Sequence, residues 1–256
     1  MYTETLTASD FAKLGVSFAD LSHGGTVNKV RGSRPLGTVV HTPSVTFANK
    51  ALTKFKTAHG RTPTPAELDD YAAQLFDVAK YQPNYMIGTT GKLFCLDADC
   101  YRTSHAGGLA MDSPVGDVYS NNTWRDWASP SDGSGWRRHG RPGNVVYDYW
   151  NAAWPGAKSP LEVYPWGKYP NEAVGIDLLP NPANGHYVPE QLETFKKLVR
   201  ALGQLHNFPL DLRHNATHTL AAPVERGTQV VHGKIIGVHW DPDRRVWPHA
   251  DVIEEL

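Results

Sequence analysis

Thr38-Val39-Val40-His41-Thr42 is the stretch from which the fold is read. Leu36 to His41 forms a strand with Val39 and Val40 in its interior, and it closes on a histidine. Near the other end of the chain, Lys234 to His239 repeats the pattern, with Ile235-Ile236-Gly237-Val238-His239 again ending on a histidine. The rigid last residues of strands can aim side chains into a cleft. Two such histidines therefore suggest a site shared by strands distant in sequence.

Between these strands the periodicities alternate. Thr64-Pro65-Ala66-Glu67 opens a helix: Thr64 can cap the free amides, Pro65 suits the first helical position, and Glu67 completes a capping box. Leu68, Ala72, Leu75 and Val78 give that helix one apolar face through about Tyr81. Tyr85 to Gly88 and Lys92 to Leu96 flank Thr89-Thr90-Gly91 as a hairpin. Ala173 to Leu179 is an apolar run of strand length. Pro189 to about His206 is a helix with Leu192, Phe195, Leu198, Val199, Leu202 and Leu205 on its buried stripe. The expected fold class is α/β: a central mixed β-sheet flanked by helices, with the helix from Pro189 packed on one face.

Residues 1–35, polar and rich in Gly and Ser, read as an N-terminal arm lying over a domain that spans residues 36–256. Residues from about 109 to 170 show no sustained period and are dense in Gly, Pro, Trp, Asn and Ser. Such a long insertion in a compact domain is usually functional, often a lid or groove wall. Trp124, Trp127, Trp136, Trp150, Trp154 and Trp166 lie in it, either as a satellite core or as flat faces lining a saccharide groove.

The chain has 256 residues, a formal net charge of −1, and 12 histidines. No basic excess points to nucleic acid as a partner. No apolar run approaches the roughly 20 residues that span a bilayer, and the first residues lack the pattern of an export signal. The expectation is a protein made soluble in the cytoplasm without membrane insertion. Cys95 and Cys100, the only cysteines, are too few for a structural zinc site; Cys95 reads as a packing residue, and a disulfide between them stays open.

Trp247-Pro248-His249-Ala250-Asp251 follows the second strand-end histidine closely. Two imidazoles and one carboxylate make a catalytic zinc set with a fourth position for water. The loop after His239 offers more than one third ligand: Asp251 first, then His249, then Asp241 or Asp243. His214-Asn215-Ala216-Thr217-His218 spaces two histidines as a zinc-protease helix does, but Asn215 stands where that motif needs Glu. It reads as exposed loop polarity.

The order of these motifs resembles the zinc-dependent N-acetylmuramoyl-L-alanine amidase family, which includes phage amidase-type lysozymes and the peptidoglycan recognition proteins. Val39-Val40-His41-Thr42 is similar to its first-ligand strand, and Asn84-Tyr85-Met86-Ile87-Gly88-Thr89-Thr90-Gly91 to its hairpin. Ser104-His105-Ala106-Gly107 and Asn171-Glu172-Ala173-Val174-Gly175-Ile176-Asp177 resemble two further elements beside the cleft. Ile236-Gly237-Val238-His239 with Pro248-His249-Ala250-Asp251 resembles the last strand and loop. The resemblance covers about residues 36–108 and 171–251.

It implies zinc held by His41, His239 and Asp251, with Asp177 where members keep a catalytic glutamate and His249 where they carry a catalytic Lys or His. His105 would contact substrate. The implied activity is hydrolysis of the amide between N-acetylmuramic acid and L-alanine in bacterial peptidoglycan. The alternatives are a peptidoglycan-binding module without zinc chemistry and a zinc endopeptidase acting on the cross-linking peptide. Such a bacteriolytic enzyme would reach the wall as a phage endolysin or as a delivered antibacterial effector, the latter with delivery machinery and an immunity protein as partners. Asp177 is one methylene shorter than glutamate, and Asp251 is followed by Val252-Ile253 where the family has Pro-Gly.

Overall fold

A computed structural model describes residues 1–22, 29–43, 45–77, 83–103, 149–150, 152–157, 163–166, 172–221, 229–231, 234–237, 240–242 and 244–256. The chain order is α1 (Ala8–Leu14), β1 (Phe18–Asp20), β2 (Lys29–Val30), β3 (Thr38–His41), α2 (Val45–His59), α3 (Pro65–Asp77), β4 (Tyr85–Ile87), β5 (Leu93–Cys95) and β6 (Tyr101–Arg102). It continues with β7 (Val174–Leu178), α4 (Pro189–His206), β8 (Asn215–Thr217), α5 (His218–Ala221), β9 (Gln229–Val231), β10 (Lys234–Gly237) and α6 (His249–Glu254). A six-stranded sheet in the order β1-β5-β4-β7-β3-β8 forms the centre. Only the β4–β5 pair in it is antiparallel, so the expected mixed α/β sheet is present.

The central strands are buried on both faces. Val39 and Val40 are both fully buried, yet they belong to different clusters, because successive strand residues point to opposite sides. On one side Val40, Tyr85, Ile87, Val174, Ile176 and Leu178 pack against Phe195, Leu198, Val199 and Leu202 of α4. On the other, Met86 and Phe94 meet Ala48, Ala51, Leu68 and Ala72 of α2 and α3. Val39 and Ala216 there meet Trp150, Tyr164 and Trp166. Burial of both faces is what gives parallel strands their near-continuous apolar sequence.

Several local expectations hold. Thr64 and Glu67 form the capping box ahead of α3, with Glu67 Nα donating to Thr64 Oγ1 and Thr64 Nα to Glu67 Oε2. β4 and β5 form the hairpin in register Tyr85↔Cys95 to Ile87↔Leu93. α4 has its expected bounds, with Phe195, Leu198, Val199 and Leu202 buried as expected; Leu192 and Leu205 are only partly buried, and Gln191, Thr194 and His206 join the buried face. Trp150 and Trp166 are core residues, and Trp154 donates to the Tyr164 hydroxyl at 3.0 Å, so these three serve the satellite core. Trp124, Trp127 and Trp136 lie outside the described residues, as does the end of the helix from 78 to 81. Cys95 and Cys100 are both buried free thiols.

Other features differ. The first residues supply α1 and an edge strand, with β1 running parallel to β5. Helix α2 escapes the sequence reading because its buried stripe is only Ala48, Ala51 and Phe55 among polar residues. β10 pairs with β9 in a separate two-stranded sheet. Finally, Asn215 to Thr217 is a buried strand, β8, paired in parallel with β3. Gly37 allows that pairing, since a Cβ there would lie 1.9 Å from the His214 carbonyl oxygen that accepts from Thr38 Nα. No helix among the described residues is long and apolar enough to cross a membrane.

Candidate metal centre

The sheet's register brings chemistry to one place. β7, β3 and β8 are adjacent and parallel, with Val39 opposite both Gly175 and Ala216. His41 ends β3 and pairs with Asp177 of β7, so their side chains leave the sheet on the same face. His218 follows the last residue of β8 and comes level with His41 on the other side. Carboxyl ends of strands in open α/β sheets are where ligands bind, because helices and loops leave a crevice there.

Asp241 completes the group from a distant loop. His218 Nδ1 lies 3.1 Å from Asp241 Oδ2, and His41 Nδ1 lies 3.7 Å from the same oxygen. The two imidazoles meet edge to face, with centroids 4.4 Å apart. One nitrogen or oxygen from each of the three residues lies within 4.8 Å of the others, and all three side chains are buried. Tetrahedral ligands about 2 Å from a zinc ion stand about 3.3 Å apart, so the spacing of this His2Asp set fits one ion. Two nitrogens and a carboxylate are also the donor types zinc prefers in catalytic sites.

Local hydrogen bonds hold the three residues in place. Thr42 Nα donates to Asp241 Oδ1 at 2.5 Å, tying the end of β3 to the loop. Asp241 Nα donates to Thr219 Oγ1 at 2.7 Å, and Thr219 Nα donates to the Asp241 carbonyl at 3.1 Å. Thr217 Oγ1 accepts from Leu220 Nα, fixing the strand-to-helix turn that carries His218. Asn215 binds Thr38 Oγ1 through its side-chain oxygen and the Pro209 and Asp211 carbonyls through its amide nitrogen. The polar letters around His218 are thus interior bonds that lock β8 onto β3, and the exposed-loop reading of that segment is corrected.

The remaining expected residues separate. Asp177 is buried beside His41. His249 is also buried, but Trp247 Nε1 donates to its Nδ1 at 3.1 Å, and its Nε2 stands 2.9 Å from the Asn215 carbonyl oxygen. With Nε2–H donating to that carbonyl and Nδ1 accepting from the indole, the ring is neutral. Burial pushes its pKa down to about 4, against a small opposing effect of the bond to Asn215. Asp251 is exposed on α6 and is not one of the clustered residues. His239 and His105 lie outside the described residues.

His218 was the residue that sequence reasoning passed over. The available signal was its place just after a short strand-compatible run, Asn215-Ala216-Thr217, but no apolar alternation marks that run as a strand. Asp241 stood among the open third-ligand choices, and only the fold brings it to His41.

No family model matches this chain, and no curated protein matches it. Among solved structures the chain is similar to the crystal structure of a selenomethionine derivative of AmpD, with 14% sequence identity and a TM-score of 0.39, over 86% of this chain and 89% of that one. At that identity and score, no conclusion about chemistry follows from the likeness.

Proposed function

We propose that this chain is a zinc-dependent amidase that hydrolyses the bond between N-acetylmuramic acid and L-alanine in bacterial peptidoglycan, with His41, His218 and Asp241 as the metal ligands. The observation that carries the zinc reading is the buried His41–His218–Asp241 cluster at the carboxyl ends of β3 and β8. The substrate assignment rests on the resemblance of motifs along the chain. Zinc in such a set lowers the pKa of water to about 7 and polarises a carbonyl.

Asp177, on the neighbouring strand and the same face, accepts the proton of the attacking water and passes it to the leaving amine nitrogen. Asp241 serves twice, since its Oδ1 accepts from Thr42 Nα while its Oδ2 faces the two imidazoles. His249 takes a positioning role, because its neutral ring bonds to the β8 backbone just ahead of His218. By chain spacing, His239 stands two residues before Asp241, as His249 stands before Asp251. With Asp241 as the ligand, His239 is therefore the proposed catalytic histidine rather than a ligand.

The test combines metal analysis with product analysis. The purified protein should hold about one zinc per chain and release peptides beginning at L-alanine, with lactyl-ended glycan, from isolated sacculi. His41→Ala, His218→Ala and Asp241→Ala should each lose zinc and hydrolysis, whereas Asp251→Ala should keep both. Asp177→Asn should keep zinc while turnover falls by roughly 10²–10⁴. Full hydrolysis after exhaustive chelation, or a zinc-loaded His218→Ala beside a zinc-free Asp251→Ala, would overturn the assignment. Cross-link fragments without lactyl ends would make the chain an endopeptidase, and no products at all a binding module.

A further inference from the structure

The metal centre lies on the face of the sheet that carries the satellite core. His41 stands two positions after Val39 on β3, so the two share a face of the strand. Val39 belongs to one buried cluster with Trp150, Tyr164 and Trp166. On β8, Ala216 joins the same cluster, as do Leu220 and Ala221 of the short helix α5 that begins at His218. Two of the three segments that carry the ligands therefore rest on aromatic residues from the stretch 149–166. That stretch falls outside the parts of the sequence that resemble the amidase family.

The third segment meets the insertion through a stack of side chains. Asp241 reaches the site from a loop, and the residue before it is Trp240. The Arg244 guanidinium lies over the Trp240 ring, 4.6 Å from its centroid, and over the Tyr149 ring at 5.6 Å. The two rings meet edge to face with centroids 5.3 Å apart. Tyr149 in turn packs against the satellite core. Burial pushes the Tyr149 hydroxyl pKa up, against the opposing effect of Arg244. The phenol is neutral, and Arg244 meets ring faces rather than an anion.

Asp241 is thus approached from two sides. Thr42 and Thr219 hold it by hydrogen bonds from the ends of β3 and β8, while the stack holds its neighbour Trp240 from the insertion. A cation shared by two ring faces resists displacement of either ring, because the attraction depends on its place over each quadrupole. Restraints at adjacent positions leave the carboxylate little freedom to swing away. A ligand already held in its bound geometry loses less freedom when a metal binds, and contacts that orient ligands raise metal affinity.

We propose that the Tyr149–Arg244–Trp240 stack is a positioning device for the metal centre: it couples the insertion to Asp241 and thereby sets the zinc affinity of the site. The proposal rests on the reading of His41, His218 and Asp241 as ligands, and it does not depend on which bond the enzyme cuts. It gives the insertion a task in assembling the site.

Zinc affinity is measured on the full chain by competition with a chromophoric chelator, and cobalt(II) in place of zinc reports the coordination through its visible absorption. Arg244 is exposed, so Arg244→Gln leaves the core intact and should still weaken zinc binding roughly 5–10-fold. Tyr149→Ala should weaken it at least as much and lower the cobalt absorption, as water competes with the Asp241 carboxylate. Tyr149→Phe keeps the ring and should restore affinity to within about twofold, together with the spectrum. Lys54→Gln, which removes a charge from an exposed position on α2, should change neither. Zinc affinity unaltered in Arg244→Gln and Tyr149→Ala, an unchanged cobalt spectrum in Tyr149→Ala, a loss that Tyr149→Phe does not rescue, or an equal loss in Lys54→Gln overturns the proposal. A chain that takes up no zinc overturns it together with the metal-centre reading. The expected pattern in a protein that releases no lactyl-ended glycan supports the stack and overturns only the amidase reading.

Discussion

His249 illustrates how one residue's surroundings decide its role. Its ring is enclosed, bonded on one side to the Trp247 indole and on the other to the Asn215 carbonyl. Burial lowers its pKa from 6.5 to about 4. A histidine with a depressed folded pKa contributes stability above its unfolded pKa and loses it as the pH falls. The window here runs from about 6.5 down to about 4, where the unfolded chain takes up a proton that the folded one refuses. Urea unfolding should therefore show stability falling between pH 7 and 4, by up to about 3 kcal/mol from this group. In His249→Ala the slope over that window should flatten, and stability at pH 7 should drop by about 2–4 kcal/mol, since the change leaves a cavity and an unpaired carbonyl. Zinc content should remain near one per chain. A variant with an unchanged slope would show that other groups govern the acid limb.

At the scale of elements, Asp69 joins helix α3 to the β4–β5 hairpin. Its buried carboxylate accepts from Thr89 Nα and Oγ1 at 2.7 and 2.8 Å and from Thr90 Nα and Oγ1 at 2.9 and 2.7 Å. A Cβ on Gly88 would lie 2.4 Å from the Asp69 carboxyl carbon, so the turn and the helix approach as closely as glycine allows. Both elements were legible from their sequence, one by its capping box and apolar stripe, the other by paired short strands. The bond between them was not, because Asp69 reads as an ordinary charge one position from Leu68. Asp69→Ala removes the acceptor of four hydrogen bonds and strands two backbone amides. It should lower the melting temperature by roughly 5–10 °C, corresponding to about 2–4 kcal/mol. A shift below about 1 °C in calorimetry would show that solvent replaces the carboxylate without cost.

Across the whole molecule, the two ends of the sheet do different work. β5 runs antiparallel to β4, so the segment after it emerges at the end away from His41. There the buried Asp99 carboxylate lies 2.5 Å from His206 Nε2 at the end of α4, while His206 Nδ1 lies 2.7 Å from the Tyr2 hydroxyl. Thr5 Oγ1 donates to Asp99 as well, and Leu6 Nα does so at 3.2 Å. The first residues thus cover a buried ionisable pair and lead into β1 at the sheet edge. Deleting residues 1–6 should lower the unfolding free energy by about 2–4 kcal/mol, since the Asp99 oxygens lose partners in the interior. Zinc stoichiometry should be unchanged, because the metal centre lies at the opposite end. Loss of zinc with no change in stability would contradict this division.

The sequence by itself determined the α/β class, the central strand ending at His41, the hairpin, the capping-box helix and α4, because each carries its own apolar period or cap. It also singled out His41, which ends an apolar strand whose direction is set locally, whereas Asp177 was implied only by the resemblance to the amidase family. Tertiary structure alone decided that His218 joins them. β8 has no alternation of its own, and its burial comes from pairing with β3 through Asn215 and Thr38. It likewise singled out Asp241 among the acids and histidines of the last loop. The distance from Asp241 to His41 spans 200 positions of chain and is fixed by bonds to Thr42 and Thr219 that no local pattern encodes. Local periodicity specifies which faces are buried, whereas a metal centre depends on which side chains arrive from different elements at one point in space.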